Sequence, residues 1–410
     1  MATIVGTPGN DDIIGTARAD VIVGGRGTDS IYGRAGDDII CGGRSGLRVE
    51  EGEKVPQLLS GGPGDDVIVG GPGHDVLSDT NGVDLLLGRG GGDSMSVHDR
   101  GAQLDDDVLR GGAGPDQFYS IRGADSLYGG KGDDFFQGGL GDNSVFRGGA
   151  GDDRFDSGRG NDTIYGGPGS DVGAYINVRG RISGSSHCND VTADLSSGVV
   201  SAAGFGVDTL NGVENLASGG GNDVLVGNSA NNTFYVGSAA GACYDERAPR
   251  EAVAGGGGWD RISFDSNHFE LSSAFGPVVV DLALGTAEQR SLSPFIDAVV
   301  GIKLDSIENV TGTEYADTIM GDDGPNRLSD RPSTFSDGGD VIRGRGGDDR
   351  LTGSVGPDDL YGDEGADKLV GLEGNDRLDG GTGTNAIDGG KGLDTCQNPD
   401  RYNGARNCEA

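Results

Sequence analysis

Apolar and polar positions recur in a nine-residue rhythm along most of this chain. GGPGHDVLS at Gly70, GGAGPDQFY at Gly111, GGKGDDFFQ at Gly129, GGAGDDRFD at Gly148 and GRGGDDRLT at Gly344 share one frame. Glycine stands at positions one and four and mostly at two, aspartate at six, and a large apolar residue at eight. Position eight is filled by Ile13, Ile22, Ile31, Ile40, Ile68, Leu77, Leu86, Leu109, Phe118, Leu127, Phe136, Phe155 and Ile164. Positions seven and nine hold mixed residues such as Val21, Tyr32, Gln117 and Arg350. An apolar residue between two outward neighbours makes a minimal β-strand. The glycines before it supply a tight turn, because they reach positive φ without a Cβ clash. Each nonapeptide therefore predicts one turn and one short strand. Two nonapeptides make one coil, so equivalent turns on one edge lie 18 residues apart.

The rhythm comes in blocks. Four repeats run from Gly6 to Cys41, four from Gly61 to Ser96, eight from Ala102 to Ala174 and seven from Phe335 to Gln397. Residues 44–60, RSGLRVEEGEKVPQLLS, break the period and read as a surface loop between coils. VHDRG, 97–101, reads as a short insertion, and GGLGDNSVFR has ten residues with Asn143 in place of the aspartate. Beyond 174 the frame lapses. DVTADLSSGVV and DTLNGVENL alternate like strands, and VVVDLALGTA and LDSIENV repeat them. Val213, Asp223 and Asn232 match Ile307, Asp317 and Asn326 at a constant offset of 94. This middle region is expected to form β-helix coils without metal, apart from one good repeat, GGGGWDRIS, at Gly255. The expected organisation is 1–174, 175–334 and 335–410.

The turns carry the chemistry. A glycine-rich turn points carbonyl oxygens to one side, and position six adds a carboxylate. An all-oxygen donor set suits a hard cation such as Ca²⁺. The candidate ligands are Asp11, Asp20, Asp29, Asp38, Asp66, Asp75, Asp84, Asp93, Asp107, Asp116, Asp125, Asp134, Asp153, Asp162 and Asp171 in the first region. Asp340, Asp349, Asp358, Asp367, Asp376 and Asp394 follow in the last. One apolar side chain per nine residues is a thin core, so metal binding is expected to supply part of the folding free energy.

The frame resembles the G-G-x-G-x-D-x-U-x repeat of the RTX (hemolysin-type calcium-binding) family, and does so over most of the chain. The resemblance implies an all-β fold: a right-handed parallel β-helix, or β-roll, here a solenoid with strand-rich inserts. It also implies that each Ca²⁺ sits between two stacked turns. Ser354, Asp363 and Leu372 replace the family's second glycine, while Asp358, Asp367 and Asp376 keep the aspartate.

Composition narrows the function. Glycine accounts for 83 of 410 residues, but in register, which separates this chain from low-complexity sequence. A net charge of −35 disfavours nucleic acid and anionic membranes and favours cations. No apolar run is long enough to span a bilayer as a helix. MATIVGTPGN has neither the basic start nor the apolar core of a signal peptide. No histidine begins H-E-x-x-H, and neither G-x-S-x-G nor a phosphate-binding G-x-x-x-x-G-K-[ST] occurs. His187, Cys188, Cys243 and His268 match no zinc-finger spacing. Cys396 and Cys408 are expected to pair and cap the last repeats, with Cys188–Cys243 a weaker pairing and Cys41 left over. An oxidising, calcium-rich compartment suits these features. The expectation is a secreted, non-enzymatic calcium-binding scaffold facing cell-surface or matrix components. The alternative is an extracellular hydrolase with a site in 175–311.

Overall fold

The computed structural model describes residues 2–44, 56–98, 105–140, 143–175, 190–202, 205–219, 221–236, 250–265, 275–291, 299–331, 338–398 and 405–408. Cys188, Cys243, His187 and His268 lie outside these residues. All regular structure among the described residues is β. The chain divides into two compact units, one of Met1–Tyr175 with Gly198–Val213 and one of Ile176–Ser197 with Glu214–Ala410.

In the first unit the strands stack in parallel, coil upon coil, in two sheets. Ile4, Ile22, Ile40, Ile68, Leu86, Leu109, Leu127, Phe146 and Ile164 follow one another in register along one sheet. Ile13, Ile31, Leu59, Leu77, Met95, Phe118, Phe136 and Phe155 do so along the other. The pairing is register-true because position eight is the one side chain that must face inward; a slip by one residue would turn it out. Every position-eight residue expected to be inward is buried. Each such side chain contributes about 1.5–3 kcal/mol on burial. Phe118, Phe136 and Phe155 form a ring stack, with centroids 4.6 and 4.9 Å apart. In the second unit, Ile262, Val310, Leu328, Leu351, Leu369 and Ile387 line one sheet in the same way. Ile319, Ile342, Leu360, Leu378 and Cys396 line the other.

Three readings of the sequence change. The segment 44–60 is more than a loop: Gln57–Ser60 is a strand paired with Ser30–Tyr32 and Asp75–Asp79. Leu59 fills the core and Gln57 stands at position six, so in sequence 52–60 fits the nine-residue frame, keeping Gly52 at position one but with valine at position four and glutamine in place of the aspartate. In the ten-residue repeat, Ser144 rather than Asn143 takes position six. The extra residue is absorbed at Asn143, which adopts φ 67°. That shift keeps Phe146 in register with Leu127 and Ile164.

The middle region is the third change. It combines parallel coils with antiparallel hairpins. Val199–Ala202 runs antiparallel to Gly206–Asn211 in the first unit. In the second, Phe275–Asp281, Thr286–Ser291 and Val299–Asp305 form an antiparallel meander. Arg345 clamps this meander through both guanidinium nitrogens on the Asp281 carboxylate, each at 2.7 Å. Near the end, Ala405–Arg406 pairs with Ile387–Asp388, and Cys396 is disulfide-bonded to Cys408 as expected. Cys41 is a free thiol.

Candidate metal centres

The position-six residues form ladders along the turns. The backbone N–H of each donates to the Oδ1 of its counterpart one coil on. Asp11 donates to Asp29, Asp20 to Asp38, Asp66 to Asp84, Asp75 to Asp93, Asp107 to Asp125, Asp116 to Asp134 and Asp153 to Asp171. In the second unit Asp340 donates to Asp358, Asp349 to Asp367, Asp358 to Asp376 and Asp376 to Asp394. All eleven aspartate pairs 18 residues apart are therefore stacked directly. The ladder also bridges interruptions: Asp38 reaches Asp66, Asp84 reaches Asp107, Asp93 reaches Asp116, Asp134 reaches Asp153 and Asp162 reaches Asp208. The Asp carbonyl meanwhile accepts the position-seven N–H of the next coil, as from Ser126 to Asp107 at 2.8 Å. One carboxylate oxygen thus continues the sheet's hydrogen bonding around the turn.

The other oxygen does something different. Oδ2 of Asp29, Asp38, Asp66, Asp93, Asp116, Asp134, Asp153, Asp349, Asp367 and Asp376 is buried without a hydrogen-bond partner. It points beneath the position-one glycine. A Cβ added at Gly24 would lie within 3.0 Å of both Asp29 Oδ2 and the Gly42 carbonyl oxygen. One at Gly129 would meet Asp134 Oδ2 and the Gly148 oxygen in the same way. Carboxylate and carbonyl oxygens so converge on a space that only glycine leaves open. A buried anionic oxygen with no donor is costly, and a cation removes that cost. The donor set, all oxygen, fits Ca²⁺.

Electrostatics agree. Burial raises the Asp66, Asp93 and Asp349 carboxyls to about 7, Asp134 to about 8, and Asp116, Asp153 and Asp376 to about 6. The ladder hydrogen bonds pull the other way, and in most of these groups a neighbouring carboxylate adds to the rise. Burial thus disfavours the charged form of each group relative to water, most of all at Asp134. By contrast, Asp281 is held below the usual carboxylate range by its hydrogen bonds to Arg345.

Several ladder members were not singled out from the sequence as ligands. Asp208, Asp223, Asp260 and Asp317 occupy position six in turns whose glycine pattern is eroded or isolated. Their signal is an apolar residue two places on: Leu210, Leu225, Ile262 and Ile319, all buried. Asn385 and Asn326 also occupy ladder positions, with amide in place of carboxylate. Two aspartates outside position six, Asp79 and Asp330, complete three-carboxylate clusters with Asp66 and Asp84 and with Asp317 and Asp340.

No curated protein matches the chain. A family profile described as the RTX calcium-binding nonapeptide repeat matches residues 5–40, 60–95, 103–120, 122–145, 143–172, 208–240, 307–330, 336–369 and 361–396. These segments cover more than half of the sequence and include the turns at Asp223 and Asp317. Parallel two-sheet coils, stacked position-six aspartates and this match agree: the chain belongs to the RTX family of calcium-binding nonapeptide-repeat proteins.

Proposed function

We propose that this protein is a secreted, non-catalytic scaffold that becomes rigid when it meets Ca²⁺ outside the cell, and that it presents its solenoid faces to cell-surface or matrix components. The observation that carries the reading is the row of buried position-six Oδ2 atoms without hydrogen-bond donors. Stacked pairs such as Asp358/Asp376 and Asp116/Asp134 would hold the ions, with position-one carbonyls completing the oxygen set. Bound Ca²⁺ would supply charge compensation to turns that are otherwise mutually repulsive. Millimolar extracellular Ca²⁺ suits sites of the affinity typical of extracellular modules.

The hydrolase alternative needs converged carboxylates in a cleft. In 175–311 the carboxyls that burial raises are Asp208, Asp223, Glu251 and Asp260, all buried in the coils. One concavity over that stretch is walled mainly by Val224, Val226, Ala252, Ala254 and Leu284, and another by Asn231, Trp259, Arg261 and Asn309 with Asp348 and Asp349 from the last block. That arrangement favours the scaffold. Far-UV dichroism of the full chain is the test: β signal should be mostly lost in excess EDTA and return with millimolar Ca²⁺. An unchanged spectrum in EDTA would reject calcium-coupled folding.

A further inference from the structure

Position one of the repeat takes three forms, and each meets the position-six Oδ2 differently. Where it is glycine, Oδ2 faces an open cradle, as at Asp29, Asp116 and Asp134, or accepts the position-two N–H, as Asp75 does from Gly71. Where it is serine, the hydroxyl closes on that oxygen: Ser157 Oγ donates to Asp208 Oδ2 at 2.8 Å, and Ser120 Oγ to Asp125 Oδ2. Where it is aspartate, a further carboxylate enters the cradle. Asp79 is fully buried in the turn that ends at Asp84. Its Oδ1 accepts the N–H groups of Gly62 and Thr80 at 2.8 and 2.7 Å, which fixes the carboxylate's orientation. Its Oδ2 has no hydrogen-bond partner and is turned inward. A Cβ at Gly61 would lie within 3.0 Å of Asp79 Oδ2 and of Asp66 Oδ2, itself buried and without a donor. Two donorless anionic oxygens thus face one point, and an Asp84 carboxylate oxygen completes a set whose members all lie within 4.8 Å of one another. The second unit also gathers three carboxylates. Asp330 directly follows the strand Arg327–Ser329, where position one falls in an uninterrupted repeat, and it enters the cradle at Gly312 beside Asp317, whose Oδ2 accepts the Thr313 N–H at 2.6 Å; Asp340 is the third member.

We infer that Asp79 and Asp330 each turn one ordinary turn site into a three-carboxylate site, and that these two sites take up divalent cations ahead of the rest of their units. The inference rests on the calcium reading above and adds a ranking to it. Oxygen sites gain affinity for Ca²⁺ as their ligand charge rises. Three carboxylates should therefore outbind the two of a glycine turn, and a serine-closed turn should bind weakest. Both sites lie next to interruptions of the nonapeptide frame, where coil stacking has least help from the regular ladder: Asp66 follows its partner Asp38 by 28 residues, and Asp340 follows Asp317 by 23.

The test uses the full chain stripped of metal and titrated with Ca²⁺ by calorimetry against a competing chelator, with Tb³⁺ luminescence as a second readout. Wild type should show two tight equivalents. Asp79→Gly and Asp330→Gly restore the residue most turns carry, so folding in saturating Ca²⁺ should persist by dichroism. Each should lose one tight equivalent, the affected site weakening about tenfold or more. Asp79→Asn keeps the side chain's shape and should lose the same equivalent. If the glycine and asparagine variants retain both tight equivalents, or wild type fills as a single class, the position-one aspartates are no ligands and the inference falls. If wild type takes up no Ca²⁺ at all, the proposed function itself fails.

Discussion

Asp376 belongs to two stacks and Asp394 to one, which allows the shared-ligand geometry to be tested within a single block. The Asp376 carboxylate accepts the Asp358 N–H, and the Asp376 N–H donates to Asp394, both at 2.9 Å. Removing either carboxylate as Ala strands one buried N–H, a cost of about 1–3 kcal/mol in both cases. Asparagine avoids that cost, since Asn385 already accepts the Asp367 N–H at 2.9 Å in this block. Asp376→Asn and Asp394→Asn should therefore leave stability in EDTA unchanged or slightly raised, because each removes a buried charge. In Ca²⁺ they should diverge. A site saturated at a hundred times its Kd adds about 2.7 kcal/mol, so Asp376→Asn should forfeit about 5 kcal/mol and Asp394→Asn about half that. No carboxylate adjacent in sequence can replace Asp376, because position five of its repeat is Asn375. The β signal in EDTA, urea unfolding in millimolar Ca²⁺ and calcium stoichiometry by calorimetry read these quantities. Equal losses for the two variants in Ca²⁺, with equal stoichiometry to wild type, would refute sharing between coils.

Three further outcomes follow from the same geometry. Acid should favour the metal-free fold. The folded carboxyls of Asp66, Asp93, Asp134 and Asp349 sit at about 7 to 8, above their ordinary 3.8, so the folded state holds more protons and loses stability as pH rises from about 4 to 8. In Ca²⁺ the slope should reverse, since protons and metal compete; the same pH dependence of the β signal with and without EDTA would contradict this. Phe136→Ala removes the middle ring of the Phe118–Phe136–Phe155 stack and should cost about 3–5 kcal/mol in Ca²⁺, whereas a loss below about 1 kcal/mol would show that the rung carries little of the core. Replacing Cys396 and Cys408 by serine opens a crosslink worth about 3 kcal/mol and should raise amide exchange in Ala386–Lys391 and Thr395–Gln397 while sparing Val341–Arg343; uniform exchange would refute a local role.

The fold was legible because one side chain per repeat carries the inside–outside information. Position eight must be apolar to be buried, and the sheet registers follow from its spacing alone. The repeat at 52–60 is hidden because only Gly52 of its glycines remains and glutamine replaces the aspartate, which leaves Leu59 as a marker beside the apolar Leu58. Leu58 is exposed and Leu59 buried, a difference that the sequence string cannot display but the register with Ile31 and Leu77 imposes. The hairpins of the middle region were hidden for a related reason. Alternation predicts strands without saying whether the next strand returns antiparallel or continues the coil; between Phe275–Asp281 and Thr286–Ser291 the turn closes at Gly285, which adopts positive φ.

Site chemistry divides along the same line. The ladder of position-six residues could be written down from spacing, since stacking two coils brings residues 18 apart together whatever their identity. Which oxygen of Asp66, Asp93, Asp116 or Asp134 is left without a donor could not, because it depends on the backbone N–H of the preceding coil claiming Oδ1. Position one is the clearest case. Read as sequence, glycine there signals a turn, and Asp79 or Ser157 looks like erosion of the motif. In space, position one is the wall of the cradle that position six opens, so its side chain decides whether the free oxygen faces an open cradle, a hydroxyl or a third carboxylate. Motif loss and gain of ligand are the same substitution seen from two sides. It follows that departures from the glycine frame in this chain are best sorted by what they place beneath the turn, not by how far they stray from the consensus.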